Sequence, residues 1–173
     1  MIEKQELSKR KKMVELALDQ YGIQEWSGSK HNPEVLKYFD EIGHSWVDDD
    51  ETAWCSAFVN WVAMKAGYEY SGKLNARSWL DIGDIIGRRI GTYIEVKVND
   101  TIVTPILGDV VILWRVKKDS PWGHVGFYIR EDENYVWVLG GNQSNKVCIS
   151  KYPKSRVLGY RRLNKVNNII NEI

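Results

Sequence analysis

Near Gly87 the hydrophobic pattern of this chain changes period, and few folds accommodate such a change. Before that point apolar residues recur at helical spacing. After it they alternate, or come in short β-branched runs. A first helix is predicted over 4–21, with Leu7, Val14, Leu16, Ala17, Leu18 and Tyr21 as its apolar face and Gly22 as its stop. Pro33 suits the first turn of a second helix that carries Val35, Leu36, Tyr38, Phe39 and Ile42 and closes at Gly43. A third spans 53–66 and ends at Gly67, with Thr52 or a neighbouring aspartate as its N-cap and the acidic run 48–51 at the positive end of its dipole. A short helix is expected over 76–82. The strand candidates are 92–98, 102–104, 109–114, 124–129, 135–139, 146–150 and 159–162, with a turn at Asn99 and Asp100. Helices first and antiparallel strands second give an α+β domain, its N-terminal helices packed on one side of a five- to six-stranded antiparallel sheet. The 173 residues suffice for a single domain, with a core over about 21–162 and a polar tail, 163–173, expected to fray or form a short helix.

Charge excludes one class of partner. The 24 basic residues nearly cancel the 23 acidic ones, so the chain has no electrostatic footprint for nucleic acid. No stretch approaches the roughly 20 apolar residues of a membrane span. The first 13 residues are charged and lack the apolar core and cleavage site of a standard secretory signal, so synthesis in the cytoplasm is expected.

Two cysteines, Cys55 and Cys148, do not make a disulfide scaffold. Cys148 sits mid-strand between Val147 and Ile149 and reads as structural. Cys55 falls two or three residues into the third helix, where free backbone N–H groups favour a thiolate and can hold an oxyanion. Against this stands the ordinary fate of a free cysteine, burial as a small apolar residue. Of three histidines, His31 and His44 lie in loops and read as surface residues, while His124 opens a strand. There it can face one side while Val125 and Phe127 face the other, although a structural histidine at a sheet end fits the same position. If 124–129 and 135–142 form a hairpin, Asn142 or Gln143 returns beside His124 and can orient the imidazole. The composition of Gly140-Gly141-Asn142-Gln143 also suits a plain turn.

Taken together, Thr52-Ala53-Trp54-Cys55-Ser56-Ala57-Phe58-Val59-Asn60-Trp61, Gly123-His124-Val125-Gly126-Phe127-Tyr128 and Leu139-Gly140-Gly141-Asn142-Gln143 resemble the CHAP and NlpC-type cell-wall peptidases of the papain-like superfamily. The likeness extends to a small bacterial and phage-borne subgroup through segments at Asn32-Pro33, Ser78-Trp79-Leu80 and the tail 152–162, and so covers about 21–162. It implies a papain-like fold and a triad of Cys55 as nucleophile, His124 as base and then acid, and Asn142 as orienting residue, with no cofactor. The implied substrate is an amide bond of peptidoglycan, cut by an endopeptidase or an amidase, in a phage lysin or a secreted antibacterial effector. Many CHAP enzymes place a Glu two residues before the orienting Asn, where this chain has Gly140.

Further candidates surround the triad. Trp54 and Trp122 are proposed groove walls, with Trp46 and Tyr128. Arg77 is the candidate for a substrate carboxylate. Gln143 and Trp54 are candidates for the second oxyanion donor, beside the N–H of Cys55. Consecutive acids lack the alternate spacing of a calcium loop, so no metal is expected at Asp48, Asp49 and Asp50. The partner expected is the stem peptide or glycan of the wall, met by a monomer after release or injection, with an immunity or delivery protein where the chain is an effector. The rival readings are a non-catalytic wall-binding module and a transglutaminase-like acyl transferase. The latter usually wants an Asp as third residue, and Glu131 and Asp132 fall at the wrong end of the hairpin.

Overall fold

The computed structural model describes residues 2–86, 88–90, 93–95, 97–98, 101–102 and 104–166. Three α-helices come first: α1 (Ile2–Leu18), α2 (Pro33–Asp40) and α3 (Cys55–Lys65). A 3-10 helix, Ala76–Asp81, follows. The strands are β1 (Asp84–Ile86), β2 (Arg88–Ile90), β3 (Tyr93–Glu95), β4 (Lys97–Val98), β5 (Thr101–Ile102), β6 (Val110–Trp114), β7 (Gly123–Glu131), β8 (Tyr135–Gln143), β9 (Lys146–Pro153) and β10 (Val157–Arg162). Six of them make one antiparallel sheet in the order β1-β10-β6-β7-β8-β9, while β2–β3 and β4–β5 are separate ribbons. The fold is α+β, as the change of period implies. The expected turn at Asn99 and Asp100 and the tail beyond 166 lie outside the described residues.

The start and stop signals act as their chemistry demands. Asn32 caps α2, its Oδ1 accepting the Glu34 N–H at 2.9 Å, and Pro33 fills the first turn. Gly22, Gly43 and Gly67 all adopt positive φ at helix ends. The apolar face of α1 differs from expectation. Met13, Val14 and Ala17 are buried, while Leu18, the last residue of the helix, and Tyr21, beyond its end, are exposed. The start of the tail is not helical: the Glu69 N–H donates to the Asn164 carbonyl and the Val166 N–H to that of Gly67, which pins it beside the end of α3.

From Cys55 to Ala63 every residue of α3 is buried, which explains its all-round apolar sequence. It packs on α1, α2, β7 and β8. The helix-facing side of the sheet supplies Val110, Ile112, Val125, Phe127 and Leu139 to that core. The far side buries a second cluster of Val111, Leu113, Tyr128, Val136, Val138, Val157 and Tyr160. Buried Asp109 joins the two halves, taking Arg10 from α1 at 3.3 Å and Arg162 from β10 at 2.8 Å. Among the described residues no helix is long and apolar enough to cross a membrane.

Two glycines allow close approach, Gly141 of β8 to α3 and Gly126 of β7 to β8. A Cβ on Gly141 would lie 2.6 Å from the Trp54 ring and 2.7 Å from the Phe58 Cβ. One on Gly126 would lie 2.4 Å from a Val138 methyl. At both positions only hydrogen fits.

Candidate active site

Cys55 is the first residue of α3, after Trp54 at the N-cap, so its sulfur sits in the ring of free helical N–H groups. The acidic run does not serve the helix dipole, for the first turn holds no acid and the N-cap has no side-chain hydrogen bond. Asp49 instead takes the Thr52 N–H at 2.6 Å and its hydroxyl at 3.0 Å. Asp50 is fully buried, accepting the Trp26 N–H at 2.9 Å, the Asn32 N–H at 2.8 Å and His31 at 2.9 Å. These acids build the loop in front of Cys55, and His31 is an internal partner rather than a loose surface residue.

His124 lies near the start of β7, paired across β6 with Leu113. Val125 and Phe127 enter the helix-facing core, so alternation sends the imidazole to the other face of the sheet. The pairing of β7 with β8 begins at Phe127↔Leu139, so His124 runs past that ladder. The Val125 N–H, one residue on, reaches the Cys55 thiol, as do the N–H groups of Ser56 and Cys55 itself.

The partner of His124 is Gln143, not Asn142. The His124 Nε2 lies 3.1 Å from the Gln143 Oε1. The cause is a β-bulge. Gly140 pairs with Cys148, yet two residues further along β9 Lys146 meets Gln143 where unbroken pairing would bring Asn142. One extra residue, with Asn142 at φ +54°, exchanges the faces of the two side chains. Gln143 therefore turns to His124. Asn142 turns to α3, its amide nitrogen donating to the Glu25 Oε1 at 3.2 Å and its oxygen accepting the Trp54 N–H at 3.2 Å.

Gln143 also fixes the histidine tautomer. Its Nε2 donates to the carbonyl of Cys148 at 2.5 Å, with those of Val138 and Gly140 at 3.2 and 3.3 Å. That orientation leaves only the oxygen for His124, so the imidazole must carry its proton on Nε2. The same oxygen accepts the Tyr152 hydroxyl at 2.9 Å, and the tyrosine ring lies 5.5 Å from the imidazole. Burial raises the Tyr152 phenol to about 12, which keeps it a donor. The Nδ1 of His124 is buried with no hydrogen-bond partner among the described residues, a lone pair free to accept a proton. The orienting bond is thus made at Nε2.

Each member of the pair, taken singly, is held neutral. Burial pushes the Cys55 thiol up, opposed by Arg115 and by the N–H groups of Val125, Ser56 and Cys55. Burial lowers His124 to about 3, helped by Arg115 and opposed by Gln143, with Arg156 a further lowering influence.

Other expected site residues fall elsewhere. Trp54 is fully buried, stacked on Tyr38 at 5.9 Å with its Nε1–H on Glu25 at 2.8 Å, and forms no groove wall. Its backbone N–H is taken by Asn142 and the Gln143 amide by carbonyls, so neither is free as an oxyanion donor. Arg77 donates to the Lys118 carbonyl at 2.7 Å and braces the loop between β6 and β7. Tyr128 is buried in the far-side cluster, whereas Trp122 and Trp46 are exposed, at 66% and 72%. Sequence reasoning passed over Tyr152 and Arg115 as site residues. Period-2 alternation from Cys148 puts Ser150 and Tyr152 on one face, a signal that becomes readable only once Gln143 is placed there.

An α+β domain with a cysteine at a helix N-terminus and a strand-borne histidine held through Nε2 by an amide side chain has the architecture of papain-like proteins. The chain belongs to the CHAP domain family, whose model matches residues 47–142, from the loop before Cys55 to the bulge of β8. No curated protein matches it.

Proposed function

We propose that this chain is a cysteine hydrolase that cuts an amide bond of peptidoglycan, with Cys55 as nucleophile, His124 as general base and acid, and Gln143 as the orienting residue. The observation that carries this reading is the buried, unpartnered Nδ1 of an imidazole whose other nitrogen is committed to Gln143. A buried polar atom without a partner is costly, and a catalytic role accounts for it. Membership of the CHAP family supports the substrate class.

The chemistry follows from the two neutral groups. As the sulfur attacks the carbonyl, its proton passes to Nδ1 of His124, and the charge on the imidazolium is met at Nε2 by the Gln143 oxygen. The oxyanion forms within reach of the helical N–H groups at Cys55. His124 then gives its proton to the leaving amine, and the thioester is opened by a water that the same Nδ1 deprotonates. Action at the cell wall, after release or injection, goes with this substrate.

The test is digestion of purified peptidoglycan by the intact chain and by Cys55→Ala, with products read by mass spectrometry. Muropeptides from the first and none from the second are expected, and their masses name the bond. Equal release by both removes Cys55 from the mechanism. No release from several wall chemotypes favours the wall-binding module.

A further inference from the structure

Arg115 follows β6, two residues past Leu113, the cross-strand partner of His124. Its backbone is clamped at both ends. The N–H donates to the Trp122 carbonyl at 3.0 Å, and its own carbonyl accepts the Lys117 N–H at 2.7 Å and the Ser120 hydroxyl at 2.5 Å. Ser120 is buried, and Arg77 fastens Lys118 in the same loop. A rigid base therefore carries an exposed guanidinium that has no hydrogen-bond or ion-pair partner among the described residues. Arg156 approaches the same side, bonded through Nε and Nη2 to the Trp114 carbonyl and lying over the rings of Trp114 and Tyr152. It too meets no carboxylate among the described residues.

Among the described residues these are the two charged groups that act on His124, and both are positive. Tuning of the reacting pair does not explain them. Arg115 favours the thiolate but disfavours the imidazolium, so across the ion pair its effects oppose each other. What remains is a positive potential, unneutralised among the described residues and held beside the reacting atoms, and such a potential is completed by an anion from outside. Guanidinium groups bind carboxylates by paired, directional hydrogen bonds.

We propose that Arg115, backed by Arg156, forms a subsite that binds a free carboxylate of the substrate peptide next to the bond that is cut. The proposal rests on the peptide-hydrolase reading for its substrate class. A lysine-type wall stem peptide offers two such groups, the α-carboxylate of its γ-linked glutamate and the C-terminal carboxylate, and the subsite takes one of them. Arg77, the sequence-based candidate for this task, is occupied by the loop it braces.

The test measures binding rather than turnover. Cys55→Ala and Cys55→Ala/Arg115→Ala are titrated calorimetrically with the tetrapeptide L-Ala-γ-D-Glu-L-Lys-D-Ala, and with versions amidated at the glutamate α-carboxylate or at the C-terminus. In Cys55→Ala one amidation should weaken binding by about tenfold or more, and which one identifies the carboxylate. In the double variant the same amidation should matter by less than about twofold, while Arg115→Lys in the Cys55→Ala background keeps part of the discrimination. No binding of the free acid, no penalty from either amidation, or an undiminished penalty without Arg115 overturns the proposal. Cleavage by the intact chain is scored separately: carboxylate discrimination without cleavage keeps the subsite and sinks the hydrolase, and cleavage without discrimination does the reverse.

Discussion

Replacing Gln143 with methionine keeps its length and removes both ends of its hydrogen bonding, which separates its two duties. The first is to the imidazole. In the resting state the His124 Nε2–H meets the Gln143 oxygen as a neutral bond at 3.1 Å, worth about 1 kcal/mol net. Once His124 holds a second proton the bond is charge-assisted, worth about 1.5–3 kcal/mol. Only the difference, about 0.5–2 kcal/mol, acts on the transition state and not on the ground state, so turnover should fall roughly 2- to 30-fold with KM little changed. The second duty is to the fold. Methionine leaves the Cys148 carbonyl and the Tyr152 hydroxyl short of a partner, a loss of about 1–3 kcal/mol and several degrees of melting temperature. Initial rates of muropeptide release, measured well below the melting point of the variant, read the first effect; thermal unfolding reads the second. Asn142→Ala is the control, since Asn142 serves the backbone before Cys55 and not the imidazole. A Gln143→Met rate within twofold of the intact chain, or an Asn142→Ala rate below that of Gln143→Met, would refute the assignment of roles.

Two pH dependences follow from groups already described. Because burial raises the Cys55 thiol and lowers His124, alkylation of Cys55 by iodoacetamide should climb steadily from pH 6 to above the ordinary thiol range of about 9. A flat rate between pH 5 and 8 would mean that a thiolate–imidazolium pair already exists at rest. For Asp50, burial opposes the charged form, but the N–H groups of Asn32 and Trp26 and the His31 ring outweigh it and lower the carboxyl. A lowered folded-state value contributes stability above the unfolded value near pH 4, which is lost as pH falls through the folded value. The melting temperature should therefore drop steeply below about pH 4, and Asp50→Asn should start lower at neutral pH and show a shallower acid limb; parallel acid limbs would disprove it.

What could be read from the sequence was what local chemistry decides. Gly22, Gly43 and Gly67 announce helix ends because positive φ excludes most other residues there. Cys55 at a helix start and His124 at a strand start were legible from the change of period alone. The choice between Asn142 and Gln143 was not, because period-2 alternation places Asn142 on the face of His124 and only the bulge reverses it. Nor does the sequence separate a buried tryptophan from an exposed one: Trp54 and Trp122 each precede a candidate catalytic residue by one or two positions, yet one is core and the other surface. That Arg77 is spent on a protein carbonyl was equally illegible, since which guanidinium finds one depends on how the loop between β6 and β7 folds back.

The bulge in β8 also has a mechanical consequence. Adjacent residues anchor opposite partners, Asn142 the backbone that leads into Cys55 and Gln143 the ring of His124. The two halves of the site are thus gauged from a common datum, one planar peptide unit that spans about 3.8 Å between Cα atoms and barely deforms. Shear of α3 against the sheet is opposed by the bond from Asn142 to the Trp54 N–H, one residue from the group that orients the imidazole. An inserted or deleted residue at this point would misplace both at once, so the alignment of the pair is inherited as a single step of the backbone.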